Sequence, residues 1–98
     1  MNCNRFIIDG QIAARDELRY TPAGLEKLEF KIQHQSTQQQ AGMPRQVQCE
    51  ISAQAFGELA RQAATLSVGQ AVNVAGFLTQ RSLRSTQLVL QIDKLTLE

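Results

Sequence analysis

The chain has 98 residues and a mass of 10.9 kDa, enough for one small domain and too little for a second core. Its hydrophobic fraction of 43% and charged fraction of 19% have the balance of a globular protein, which excludes a disordered tail. A net charge of +1, from 10 Lys and Arg against 9 Asp and Glu, is too neutral to announce a nucleic-acid or membrane partner by composition alone.

Five segments carry strand character. The first runs from Asn4 to about Ala14, with Phe6, Ile8 and Ile12 recurring around Gly10. A glycine inside a strand predicts a bulge or sharp bend. Tyr20-Thr21-Pro22-Ala23-Gly24 reads as a turn, with proline presetting φ and glycine free to take positive φ. Leu28, Phe30 and Ile32 then alternate with Lys27, Glu29, Lys31 and Gln33, a half-buried strand with a wet outer face. Val47, Cys49 and Ile51 alternate in the same manner with Gln46, Gln48 and Glu50.

Glutamine clusters at Gln33, Gln35, Gln38, Gln39, Gln40, Gln46 and Gln48, and the loop between these two strands carries Gly42 and Pro44. The cluster reads either as a solvated hairpin loop or as a polar surface able to hydrogen-bond bases or a partner protein. The period then changes. Phe56, Leu59, Ala60, Ala63 and Leu66 form the stripe of an amphipathic helix, with Ser52 as its expected N-cap. Alternation returns in Val72 and Val74, and past Gly76 in Phe77 and Leu78. A last strand runs Leu88, Leu90, Ile92, with Leu95 and Leu97 out of phase, so a bend near Asp93 is expected.

The order is β-β-β-α-β-β. Five strands with one short helix between the third and fourth predict an all-β fold, a five-stranded OB-fold barrel, with residues 1–98 as its single domain. Such barrels host many functions, so the fold does not fix the task.

No run of about 18 apolar residues predicts a membrane span, and no charged-then-apolar leader predicts export, so a cytoplasmic protein is expected. Cys3 and Cys49 form no CxxC pair, and His34 is the only histidine. We therefore expect no metal site and two free thiols, with Cys49 packed as a small hydrophobe in its strand. A nucleophile elbow and a phosphate-cradling GxxxxGK[ST] loop are both missing from the sequence, so neither catalysis nor a cofactor is expected.

The near-zero net charge conceals a segregation along the chain. No acid lies between Glu29 and Glu50, a window holding Lys31 and Arg45, or between Glu58 and Asp93, a window holding Arg61, Arg81 and Arg84. In the OB topology the loop between the last two strands faces the groove, so Arg81 and Arg84, with Arg19 or Arg15 on the first loop, would track a phosphate backbone. Phe30, Phe56 and Phe77 read as core.

The segments Asn4-Arg5-Phe6-Ile7-Ile8-Asp9-Gly10, Thr21-Pro22-Ala23-Gly24, His34-Gln35-Ser36, Ala41 to Cys49 and Val68 to Phe77 together resemble the primosomal replication protein N (PriB) family of single-stranded DNA-binding OB folds. The resemblance runs nearly end to end, with a shorter loop near Ser85. It implies a cytoplasmic homodimer of replication restart that binds single-stranded DNA and the PriA helicase and stimulates unwinding. Further primosome proteins, such as DnaT where present, are implied as partners. The family's DNA face uses basic residues on the first loop, second strand and last loop, with aromatics around the second hairpin. Here Met43 and Gln48 stand where those aromatics would be, and Gln35 stands where an arginine is common.

The expected DNA-binding set is accordingly Arg19, Tyr20, Lys31, His34, Gln35, Met43, Arg45, Gln48, Arg81 and Arg84. In it the cations contact phosphates, Tyr20 stacks on a base, and Gln35 and Gln48 hydrogen-bond. Each lost aromatic platform removes roughly 1–3 kcal/mol of stacking, so modest, charge-led affinity is expected. The alternative is a protein-interaction adaptor, its groove turned mainly toward the helicase and its DNA binding weak.

Overall fold

The computed structural model describes residues 2–98. Its strands are β1 (Phe6–Arg15), β2 (Arg19–Tyr20), β3 (Glu26–Gln40), β4 (Met43–Phe56), β5 (Ala71–Gln80) and β6 (Leu88–Leu97), with helix α1 (Glu58–Ala63) between β4 and β5. The sheet order is β1-β5-β6-β4-β3-β2, and β1 also pairs with β3. That extra pairing closes β1, β5, β6, β4 and β3 into a five-stranded barrel, the OB fold the alternation predicts. β2 is an addition that the sequence reading placed in a loop and turn. It lies against the start of β3, through Arg19↔Lys27 and Tyr20↔Glu26.

Closure requires β1 to leave one partner and join another. Phe6 to Gln11 pair with β5, and Gln11 to Arg15 pair with β3, the register shifting between Ile12 and Ala14. The bulge therefore falls at Ala13, not at Gly10. Gly10 has a different role: a Cβ there would overlap the Gln33 carbonyl, so the crossing strands approach too closely for any side chain. The bend expected near Asp93 is present. Gly76 pairs with Ile92 and Ala75 with Lys94, leaving Asp93 as the extra residue.

The core is filled by inward residues of every barrel strand, including Ile12, Leu28, Phe30, Ile32, Val72, Val74, Leu90 and Ile92. Ala53 and Ala55 on β4 and Ala60 and Ala63 on α1 are fully buried small residues where the helix packs on β3 and β4. The helix is shorter than its apolar stripe. Phe56 ends β4, Gly57 at φ 65° occupies the N-cap, and Ser52 lies within β4, five residues before that cap. Leu66 enters the core from the turn that follows, where its N–H donates to Ala63 O.

The glutamine tract is not a loop. β3 and β4 stay paired from Lys27↔Phe56 out to Gln40↔Met43. Only Ala41 (φ 52°) and Gly42 (φ 79°) turn the chain, the positive-φ pair of a tight two-residue hairpin. Pro44 fits within β4 because β6 pairs with β4 only at Ala53 and Gln54, leaving its outer edge unpaired at the arm. The distal half of this hairpin is an arm beyond the barrel. Cys49 lies on it and is exposed, not packed.

Candidate nucleic-acid interface

Directly paired residues of an antiparallel ladder share one face of the sheet. On β3 the side chains of Leu28, Phe30 and Ile32 point into the core, so Lys27, Glu29, Lys31, Gln33 and Gln35 face outward. Arg19, opposite Lys27, and Gln48, opposite Gln35, join that outer face. The loop after β5 brings Arg81 over the same strip, where its Nη2 donates to Glu29 Oε2 at 2.6 Å. A cleft of about 140 Å³ runs between Lys31, Glu29, Ser52 and Arg81. A second, of about 260 Å³, lies between Arg19, Lys27, Glu17 and Arg81.

The predicted set divides between two faces. Arg19, Lys31, Gln35, Gln48 and Arg81 belong to the outer strip, and Arg84 is exposed on the same loop as Arg81. Tyr20 pairs with Glu26, Arg45 with Gln38 and Met43 with Gln40, which puts all three on the opposite side of the pleat. His34 is there too, and both its ring nitrogens are occupied. Nδ1 lies 2.7 Å from the Asp9 carbonyl and Nε2 lies 2.8 Å from Ser36 Oγ. The contact with Asp9 ties the root of the arm to β1. The structure thus brings Arg19, Lys31, Gln35, Gln48 and Arg81 to one side, leaves Arg84 exposed on the neighbouring loop, and separates Tyr20, His34, Met43 and Arg45 from them.

Two residues of the strip, placed on the wet face of their strand by the sequence, are not in the expected DNA-binding set. Lys27 stands with its Nζ 5.9 Å from the centre of the Phe56 ring, so Phe56 is half-buried beneath a cation instead of lying in the core. Glu29 sits between the cations, within 3.8 Å of Lys27 Nζ as well as bonded to Arg81. The alternation that marked Lys31 as outward marks both of these. Phe77 is likewise not core: it is 41% exposed on β5.

The acid-free windows of the sequence do not survive folding. Lys31 is 3.8 Å from Glu50, Arg81 is paired to Glu29, and Arg61 is paired to Glu26. Asp16 and Glu17 also line the larger cleft. Among the described residues, Arg19, Arg45 and Arg84 have no carboxylate within ion-pair distance. The interface is therefore a mixed-charge strip with polar amides at one end. Among the described residues there is no cluster of ligands for a metal ion and no helix long and apolar enough to cross a membrane.

Comparison with known proteins identifies the family of the chain. A family model described as another single-strand binding protein family matches residues 4–94. The fold superimposes on the PriB protein of Ralstonia solanacearum with a TM-score of 0.88, covering 98% of this chain and 99% of that one at 26% identity. The Thermus aquaticus single-stranded DNA binding protein shares the fold at a TM-score of 0.79 and 23% identity, this chain covering 50% of it. The chain belongs to the single-strand binding protein family, in its PriB branch. Its relatives there include the replication restart protein PriB of Nitrosomonas europaea, 40% identical over 94% of this chain and 85% of that protein. The Proteus mirabilis replication restart protein PriB is 32% identical over 99% of this chain and 95% of that protein.

Proposed function

We propose that this chain is a non-catalytic cytoplasmic protein of replication restart that binds single-stranded DNA along the outer strip of β3 and β4. The observation that carries this reading is the convergence of Arg19, Lys31 and Arg81, from three separate elements, on the clefts beside β3. Arg84 extends the basic loop. Gln35 and Gln48, side by side on the arm, offer amide donors and acceptors to unstacked bases. The aromatic on that strip, Phe56, is half-buried under Lys27, so binding is led by phosphate contacts and tolerates any base sequence.

The molecule works as a single OB-fold unit that pairs with a second copy. Phe6 to Ile8 of β1 pair only with β5, and the Ile7 side chain beside this open edge is 69% exposed. An apolar strand edge of this kind is stabilised by pairing with another strand. With PriA helicase, and with further primosome proteins such as DnaT where they occur, the bound dimer would stimulate unwinding.

The acids in the clefts favour a second reading, an adaptor whose mixed-charge groove mainly holds the helicase. Fluorescence anisotropy with labelled single- and double-stranded oligonucleotides, with and without PriA, separates the two. The DNA-binding reading predicts capture of the single strand by this protein alone, in preference to the duplex. Negligible binding alone with capture only alongside PriA would make it an adaptor.

A further inference from the structure

We infer that Glu29 is an internal competitor for phosphate, holding Arg81 in the free protein so that single-stranded DNA binds by taking the guanidinium from it. The inference rests on the single-stranded DNA reading of the strip and names a residue that sets its strength. Glu29 is on β3, 52 positions from Arg81, yet its Oε2 accepts from Arg81 Nη2 at 2.6 Å. Its other oxygen faces Lys27 Nζ at 3.8 Å. One carboxylate thus engages two of the strip's cations at its middle, between Arg19 and Lys31, and the Arg81 contact bridges the groove.

Two carboxylate oxygens facing two cations do the work of a phosphate, since both groups present anionic acceptors to the guanidinium fork. DNA laid along the strip meets this group at close range. It must displace the carboxylate from Arg81 and then lie beside an uncompensated negative charge. Both effects oppose binding. The guanidinium is open to water, its side chain 45% exposed against 21% for Glu29, so the pair is reached by solvent and by phosphate from the arginine side and can be displaced. Glu29 therefore lowers affinity without abolishing it.

Neutralising Glu29 is expected to tighten binding. The test is anisotropy with labelled oligothymidine at low salt on wild type, Glu29→Gln, Arg81→Ala and the double variant, with Glu58→Gln on α1 as a control for net charge. Glu29→Gln should bind roughly three- to tenfold more tightly than wild type, the scale of one exposed unit charge at ion-pair distance. Glu58→Gln should match wild type. Arg81→Ala should cost more in the Glu29→Gln background than in wild type, because only there is the guanidinium fully free for phosphate.

Thermal unfolding by circular dichroism reports whether each variant is folded, and Glu29→Ser carries the same test if the glutamine variant is not. Additive effects of the two substitutions, or a Glu29→Gln affinity equal to that of Glu58→Gln, would overturn the inference while leaving DNA binding intact. Weaker binding by Glu29→Gln would overturn it too, by making Glu29 a positioning residue for Arg81. If neither wild type nor any variant bound the oligonucleotide, the DNA-binding reading itself would fall, and the inference with it.

Discussion

Arg19 and Tyr20 are neighbours in sequence with opposite fates in the pleat. Arg19 faces the strip beside Lys27, whereas Tyr20 is 67% exposed on the other side, opposite Glu26. The account predicts that Arg19→Ala weakens single-stranded DNA binding by roughly two- to fivefold, the worth of one exposed ion pair with phosphate. Tyr20→Ala should leave it within about twofold, since a ring turned from the strand contributes no stacking. Parallel anisotropy titrations check both, and a large loss for Tyr20→Ala would show that DNA wraps around the edge of β2. What the sequence could say about these residues was type, not direction. Cys49 and Phe77 looked like core residues because strands bury alternate positions, but burial needs a covering layer, and at those two places there is none.

Arg5 and Asp93 make another residue-scale prediction. They meet at 2.5 Å, joining the segment before β1 to the bulge of β6. The hydrogen bond from Arg5, with its charge, holds the Asp93 carboxyl below the ordinary carboxylate range. A carboxylate whose folded pKa is depressed adds stability that is present above its unfolded value and is lost as pH falls through the folded one. Asp93→Asn should therefore lower Tm slightly at neutral pH, and the gap from wild type should close in acid. Thermal melts across that range check it. A gap that stayed constant into acid would mean that the asparagine disturbs the bulge itself.

At the scale of elements, the β3–β4 arm decides how far the strip extends. Within the barrel, alternation was clear because one face of each strand packs on Leu28, Phe30 and Ile32. Past Gln33 on β3 both faces of the arm are largely wet, so that strand keeps no hydrophobic period, and the outer part of a paired ribbon reads as a polar loop. The same limit explains the helix boundary. Leu66 and Phe56 share the apolar stripe because both pack near α1, yet one sits in a turn and the other in a strand. The arm's turn carries an alanine at φ 52°, a conformation that costs an L-residue with a Cβ roughly 1–2 kcal/mol and that asparagine tolerates better. Ala41→Asn should raise stability by about 0.5–1 kcal/mol, read as a higher Tm, with DNA affinity unchanged. A lower Tm would mean that the turn is not of this type.

For the whole molecule, the open edge of β1 sets the expected assembly. Ile7→Glu places a charge where two copies would meet and should convert a dimer to a monomer, measured by light scattering coupled to gel filtration. A variant eluting and scattering as wild type would put the contact elsewhere. The barrel topology was legible because it follows from the order and spacing of alternating segments. The charge distribution was not. Long-range pairs such as Arg81–Glu29 and Arg61–Glu26 bring acids into stretches that are basic only along the chain, and no window of sequence reports them.

The central claim, that phosphates are held by the cations of the outer strip, is tested most directly by titrating salt against the affinity for labelled oligothymidine. With Arg19, Lys31, Arg81 and Arg84 each neutralising one phosphate, log K should fall against log salt with a slope of roughly −3 per chain. A slope near zero, at whatever affinity, would contradict the account.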